Sequence, residues 1–235
     1  MKKPIRSNVP EYIDIGPECY TDTEYQDCLK QLGRVGALLG GNRATFAAFS
    51  QLAQKPISIL DVGCGGGHFT QELAKKFTEA KVVGIDYSSS AIDYAQNQII
   101  NNDLPNLSFE NTSELKLDVP ENSFEVITAT LVCHHMSDDN LIDFLKRAHR
   151  SASKAIIIND LHRHPLAYGS FALIAPILFR NRLITHDGLL SVQKAFKKTD
   201  WAYYLSKAGI PTNSWRIEWK WAFRWIITIH TTSSS

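Results

Sequence analysis

The run Ile57-Ser58-Ile59-Leu60-Asp61-Val62, breaking into Gly63-Cys64-Gly65-Gly66-Gly67 and then His68-Phe69, constrains this chain more than any other stretch. Apolar and β-branched residues suit a buried strand, the glycines end it, and Thr70 to Lys76 reads as a helix. A strand, tight turn and helix start in this order leave free N–H groups facing outward. Glycine lets the backbone take positive φ and approach a ligand there. A second short apolar strand, Lys81 to Asp86, closes on an acid 21 positions after Gly65, where a β-α-β unit places a ribose-binding carboxylate. The glycine pattern is Asp-x-Gly-x-Gly-x-Gly. A dinucleotide fingerprint counted from Gly63 would need glycine where His68 stands, so NAD is not indicated.

The length of 235 residues fits one α/β domain with additions, and no second independent domain is expected. A net charge of +1 gives no large field for a polyanion, which argues against nucleic acid as a partner. Cys19, Cys28, Cys64 and Cys133 form no Cys-x-x-Cys pair and do not cluster with histidine at zinc spacing, so reduced thiols in a cytoplasm and no metal site are expected. The basic start, Met1 to Asn8, runs into Pro10, Glu11 and Asp14 rather than the apolar core of a signal peptide.

Residues to about Gly16 read as an irregular polar arm. From Thr21 the spacing of Tyr25, Cys28, Leu29, Leu32, Val35, Leu38 and Leu39 suits an amphipathic helix stopped by Gly40-Gly41, and Asn42 is placed to cap a second helix. These helices cover a sheet edge or form a lid. Ser88-Ser89-Ser90-Ala91-Ile92-Asp93 has the form of a helix N-terminus running to about Asn101-Asn102, Asn106 to Asn111 a third strand, and Phe124 to Thr130 a fourth. Ser137 starts a further helix, and Ala155 to Ile158 is a buried strand opening into Asn159-Asp160. Leu166 to Phe179 is apolar, contains Pro176, and at about 14 residues is shorter than the roughly 20 that span a bilayer, so no stable membrane insertion is expected. It reads as a helical wall over the active site or as core. Thr185-His186-Asp187-Gly188 reads as a turn, Asp200 to Ala208 as a helix, and two closing strands as a hairpin packed by four of the five tryptophans.

Leu60 through Gly67, with Asp86 beyond, resembles the first motifs of the class I S-adenosylmethionine-dependent methyltransferases. The resemblance implies an α/β fold with a doubly wound, mostly parallel seven-stranded sheet, a Rossmann-like methyltransferase fold whose last strand is antiparallel, under a helical N-terminal cap. In these terms residues 1–55 are the cap, 56–161 the cofactor-binding core, 162–198 a helical substrate-cover insertion, and 199–235 the C-terminal helix and hairpin. It also implies S-adenosyl-L-methionine as cofactor and S-adenosyl-L-homocysteine as product. Asp61 is placed to receive the amino group, directly or through water; Gly63, Cys64 and Gly65 form the turn, Asp86 holds the ribose hydroxyls, and Tyr87 lies against adenine. Asn111 stands where the family often has an acid for the adenine amino group, with Thr112 and Ser113 beside it. Thr130 closes the fourth strand, and Arg43 could reach the methionyl carboxylate.

The His134-His135 pair follows the fourth strand, where chemistry sits in a doubly wound sheet. With Asn159-Asp160-Leu161-His162-Arg163-His164 and His186-Asp187-Gly188 it resembles a subgroup associated with phenolic, quinone or polyketide-type natural products. The aromatic Pro-Pro turn of adenine-amino methyltransferases is missing after Thr130, and so is the acid that a catechol-type magnesium site needs there. The expected reaction is methyl transfer to a small apolar or aromatic acceptor, preferably the oxygen of a phenol or enol, with a histidine base: His135 and His162 first, then His134, His164 and His186. C-methylation of an electron-rich ring, or a non-catalytic partner subunit that only binds the cofactor, remain open, as does the oligomeric state.

Overall fold

A computed structural model describes residues 2–100, 103–112 and 117–231. One seven-stranded sheet runs through it, with strands β1 (Ser58–Val62), β2 (Lys81–Asp86), β3 (Leu107–Asn111), β4 (Phe124–Thr130), β5 (Ala152–Leu161), β6 (Trp215–Lys220) and β7 (Arg224–His230) in the order β3-β2-β1-β4-β5-β7-β6. The first five are parallel and β7 runs antiparallel to both β5 and β6, as the resemblance implied. The order reverses between β1 and β4, so a crevice opens at their carboxyl ends.

Nine helices among the described residues flank the sheet: α1 (Tyr12–Ile15), α2 (Asp22–Leu38), α3 (Gly41–Phe49), α4 (His68–Lys76), α5 (Ser89–Ile99), α6 (Asp138–Ser151), α7 (Pro165–Leu178), α8 (Gly188–Lys194) and α9 (Lys198–Lys207). Local chemistry sets several starts. Ser88 Oγ accepts the Ala91 amide at α5, and Ser137 Oγ accepts the Asn140 amide at α6. Helices on both faces bury β1, β4 and β5, whose central residues, Ile59, Ile127 and Ile157 among them, are fully enclosed.

The structure departs from the sequence reading at several places. The arm contains the helical turn α1, because Asp14 accepts the Glu11 amide and the turn docks on other polar groups. Gly40, in left-handed conformation at φ 71°, precedes α3, and Asn42 lies buried within the helix rather than capping it. Strand β5 continues through Asp160, since β7 pairs with it as far as Leu161 opposite Arg224. The expected turn at residues 185–188 is a π-helical turn, Leu183–Asp187, running straight into α8. Within the hairpin Trp225 is buried, but Trp219 and Trp221 are exposed. Helix α7 forms as expected with Pro176 inside it, yet only Ala167 and Ala175 are buried. The expected end of α5 at Asn101-Asn102 lies outside the described residues.

Candidate active site

Three glycines of the first turn have positive φ: Gly63 at 69°, Gly65 at 51° and Gly67 at 71°. They differ in what stands beside them. A Cβ at Gly63 would lie 2.4 Å from Val132, and one at Gly67 would lie 2.4 Å from the Phe109 ring, so both serve packing. At Gly65 the nearest atom would be Leu29 Cδ2 at 3.8 Å, which leaves the backbone open to a ligand's approach. The Gly65 amide donates to Asp86 Oδ2 at 2.8 Å and the Ser88 amide to Oδ1 at 2.9 Å, fixing the carboxylate at the end of β2. Burial raises the Asp86 pKa above the usual carboxylate value against the pull of these amides and of the nearby His135 charge.

Around Asp86, Tyr87 is exposed and Asn111 donates its Nδ2 to the Asp86 carbonyl at 3.0 Å. The Thr112 amide donates to the same carbonyl. Thr130 Oγ1 is buried without a hydrogen-bond partner at the end of β4. An open glycine cradle, an anchored ribose-side acid and an orphaned hydroxyl on the crevice fit a nucleoside-bearing cofactor with a polar tail. Cys64 is half-buried with its thiol pushed up by burial. Asp61 is turned inward, 2% exposed, and accepts Thr70 Oγ1 at 2.7 Å, so it sits beneath the turn rather than on the crevice surface. Arg43 is exposed on α3, and Ser113 lies outside the described residues.

The histidines divide into two groups. Leu131, forced to φ 58°, swings the chain out of β4 into a short 3-10 turn, Cys133–His135. There His134 is buried and bonded twice to Asp160: its amide donates to Oδ2 at 3.2 Å and its Nδ1 meets Oδ1 at 2.7 Å. Asp160 has no exposed surface. Burial alone would raise its pKa, but the charge and hydrogen bond of His134 and the Leu161 amide hold it below the usual range. The His135 ring lies 4.2 Å from that of His134 and bonds through Nδ1 to Asp14 Oδ1 at 2.7 Å. Burial opposes protonation of His135, yet Asp14 and Glu11 outweigh it and raise its pKa.

Asp14 comes from the arm, which brings more to this place. Lys194 Nζ on α8 is 2.6 Å from Asp14 and 3.3 Å from Glu11, and Ser191 Oγ donates to Glu11 at 3.0 Å. The first amides of α1, Tyr12 and Ile13, donate to the Asp187 carboxylate, while His186 bonds that carboxylate through Nδ1 and stacks on Tyr12 at 4.0 Å. Glu11, His134 and His135 bring donor atoms within 4.8 Å of one another, a spacing that a metal could bridge, but the Lys194 ammonium already supplies the positive charge between the acids. Sequence reasoning singled out neither Glu11, Asp14, Ser191 nor Lys194 as site residues. For Glu11 and Asp14 the one signal is the Glu-x-x-Asp spacing of a helix start, and Ser191 and Lys194 carry none.

His162 and His164 form the second group. His162 has a buried Nδ1 without a partner, lies 4.8 Å from Trp225 and 5.2 Å from His164, and has its pKa lowered by burial and by His164, Lys197 and Arg163. His164 accepts the Leu166 amide as the cap of α7 and stacks on Phe223.

A glycine turn and ribose-side acid at the carboxyl ends of a 3-2-1-4-5-7-6 sheet define the class I methyltransferase fold. Residues 59–154 match the family described as Methyltransferase domain. Demethylmenaquinone methyltransferase of Deinococcus radiodurans is 30% identical over 112 residues, 48% of this chain and 45% of that protein. Ubiquinone biosynthesis O-methyltransferase of Albidiferax ferrireducens is 36% identical over 81 residues, 34% of this chain and 31% of that protein. The match thus spans less than half the length of either relative. The crystal structure of a SAM dependent methyltransferase from Aquifex aeolicus shares the fold at a TM-score of 0.66 and 18% identity, covering 88% of this chain and 98% of that one. Further chains of this fold are solved with S-adenosylmethionine or S-adenosylhomocysteine bound.

Proposed function

We propose that this chain transfers a methyl group from S-adenosylmethionine to a hydroxyl of a small, largely apolar aromatic acceptor, with His134 as general base. The observation that carries this is the buried His134–Asp160 pair, at the carboxyl ends of β4 and β5 and beside His135, whose charge reaches Asp86. The cofactor, when bound, supplies a methyl group on a sulfonium that is already a leaving group. What this chain supplies is alignment and a proton acceptor. Asp86, Tyr87 and Asn111 would hold the adenosine and the turn at Gly65 the methionyl end. An ionised Asp160 accepts a hydrogen bond from the Nδ1–H of His134, which leaves Nε2 as the basic nitrogen and fixes the ring plane.

His135 is less suited to the task, since Asp14 and Glu11 make it hold its proton. It serves as a positive charge beside the acceptor oxygen. The arm, anchored through Glu11 and Asp14, covers the cluster and keeps water out. A phenolic oxygen, with a pKa of about 10, is within reach of an imidazole base. The quinone-pathway names of the two relatives agree with an aromatic acceptor.

Calorimetric titration with S-adenosylmethionine and S-adenosylhomocysteine comes first, with Asp86→Ala as the variant that should lose binding. A screen of phenols, catechols and hydroquinones with labelled methyl donor follows, product analysis separating O- from C-methylation. His134→Ala should lower kcat about 10²- to 10⁴-fold with cofactor affinity retained. Full turnover in that variant would refute the base assignment. Cofactor binding with no acceptor methylated would favour a cofactor-binding partner subunit.

A further inference from the structure

Helix α7 carries no charged residue, and its inner side is already satisfied: Phe171 packs so closely on α8 that a Cβ at Gly188 would lie 2.3 Å from its ring. The outer side is apolar and open. Leu166, Leu173 and Ile177 lie on one face at helical spacing, with exposures of 67%, 72% and 79%, and Ile174 and Leu178 flank them. No described helix is long and apolar enough to cross a membrane, and α7 at 14 residues measures only about 21 Å.

The N-terminal end of α7 adjoins a second exposed apolar feature. His164, its cap, stacks on Phe223, and Phe223 packs against Trp219 and Trp221 at the hairpin tip, both of them exposed. The charges around this end are mostly positive. Lys197 is near enough to depress His162, Lys198 follows it, Lys220 ends β6 at the tip, and Arg216 lies further along the same strand. Of the acids here, Asp200 is taken up by Arg163, and Glu218 faces both Arg216 and Lys220. At the far end Arg180 and Arg182 stand with Glu24 and Asp27, so that end is close to neutral.

We infer that α7 and the β6–β7 hairpin tip form a docking face for an anionic phospholipid bilayer surface, with the helix lying in the interface rather than spanning it. Aliphatic side chains on the outer helix face enter the acyl boundary, Trp219 and Trp221 sit at headgroup level, and the lysine and arginine rim meets the lipid phosphates. A second copy of the chain would also bury aliphatic surface, but an excess of lysine and arginine over acid around two exposed tryptophans is complementary to an anionic plane. The inference stands apart from the choice of methyl acceptor, because it concerns a face outside the cofactor crevice.

The test is co-sedimentation of the full chain with vesicles of phosphatidylcholine alone and of a three-to-one mixture of phosphatidylcholine and phosphatidylglycerol, with tryptophan emission recorded alongside. Binding to the anionic vesicles, with a blue shift and a loss of binding at high salt, is expected. The Leu173→Glu/Ile177→Glu double variant should bind at least about tenfold more weakly with an unchanged melting curve, since both side chains are exposed. Lys197→Glu/Lys220→Glu should remove the preference for anionic lipid. Failure to sediment with either vesicle, or equal binding to both, would overturn the proposal. So would a dimer in light scattering that the double glutamate variant turns into a monomer, which would make the face a self-association surface.

Discussion

Asp61→Asn should change how the stability of this protein depends on pH, by an amount the structure allows to be worked out. Asp61 is enclosed in β1 with a single hydrogen bond, from Thr70 Oγ1. Burial raises its pKa from 3.8 to about 7, against the pull of Thr70 and with a contribution from the Asp86 charge. A carboxyl whose folded pKa is raised is bound to its proton more tightly in the folded state. Stability is therefore greatest below pH 3.8 for this group, falls as pH rises toward 7, and levels off above. A displacement of about three pH units, at roughly 1.4 kcal/mol each, amounts to about 4 kcal/mol, a large share of a domain's 5–15 kcal/mol. Asparagine keeps an oxygen for Thr70 and removes the titration. Urea unfolding at several pH values between 5 and 8 should give a wild type that weakens with pH and a variant that does so much less, the two curves separating by several kcal/mol at the alkaline end. Parallel curves, with a difference independent of pH, would refute the reasoning. In the wild type, binding a ligand with a cationic amino group nearby should also release protons near neutrality, seen in calorimetry as a heat that changes with the buffer, and Asp61→Asn should abolish that change.

Asp160→Asn removes the anion between His134 and the buried Arg224, whose own pKa is depressed by burial and supported by that acid. Breaking such a buried arrangement should lower stability by about 3–5 kcal/mol near neutral pH. The loss should shrink as acid titrates the wild-type Asp160 through its depressed pKa, and denaturant unfolding across that range checks it. Asp14→Asn should drop the His135 titration toward or below the ordinary imidazole value, visible by NMR. Since Asp14 is held below its usual range and His135 above, their pair strengthens the fold from about pH 4 up to the raised His135 pKa and fades on the alkaline side. In that window hydrogen exchange at the Tyr12 and Ile13 amides should accelerate in the variant; unchanged exchange would show that Asp187 alone holds α1. Gly67→Ala combines a positive φ with a Cβ 2.4 Å from Phe109 and should cost about 2 kcal/mol or more, whereas Gly40→Ala, at the same φ but in open space, should cost only about 1 kcal/mol. Paired thermal melts distinguish the two.

The cofactor half of the site was legible because it is written contiguously. A strand, a glycine turn and a helix follow one another within twenty residues, and the spacing to Asp86 is imposed by one β-α-β unit, so pattern and geometry coincide. The same holds for the serine caps at Ser88 and Ser137, which act on amides three residues away. Helix α7 marks the first kind of failure. A helix that is apolar on all sides has no periodicity to say which side faces in, and the exposure of Leu173 and Ile177 is decided by neighbours that the local sequence does not contain.

The histidine cluster was not legible for a different reason, which also bears on how the arm is held. His134 and Asp160 were both conspicuous as residues, but their pairing spans 26 positions and exists because β4 and β5 lie side by side with Thr130 opposite Asn159, carrying both chains to the same edge. The Asp14 bond to His135 spans 121 positions and its contact with Lys194 spans 180, and the arm that carries Asp14 reads only as polar chain. Its hold is mixed: Tyr12 and Ile13 pack, partly buried, against the cluster of Tyr25, Leu29, Leu183 and Ile184, while Glu11, just before them, is almost completely enclosed and bonded by Lys194 and Ser191. A variant that weakens the polar part of that hold should loosen the arm over His135 while leaving the glycine turn and Asp86 as they are.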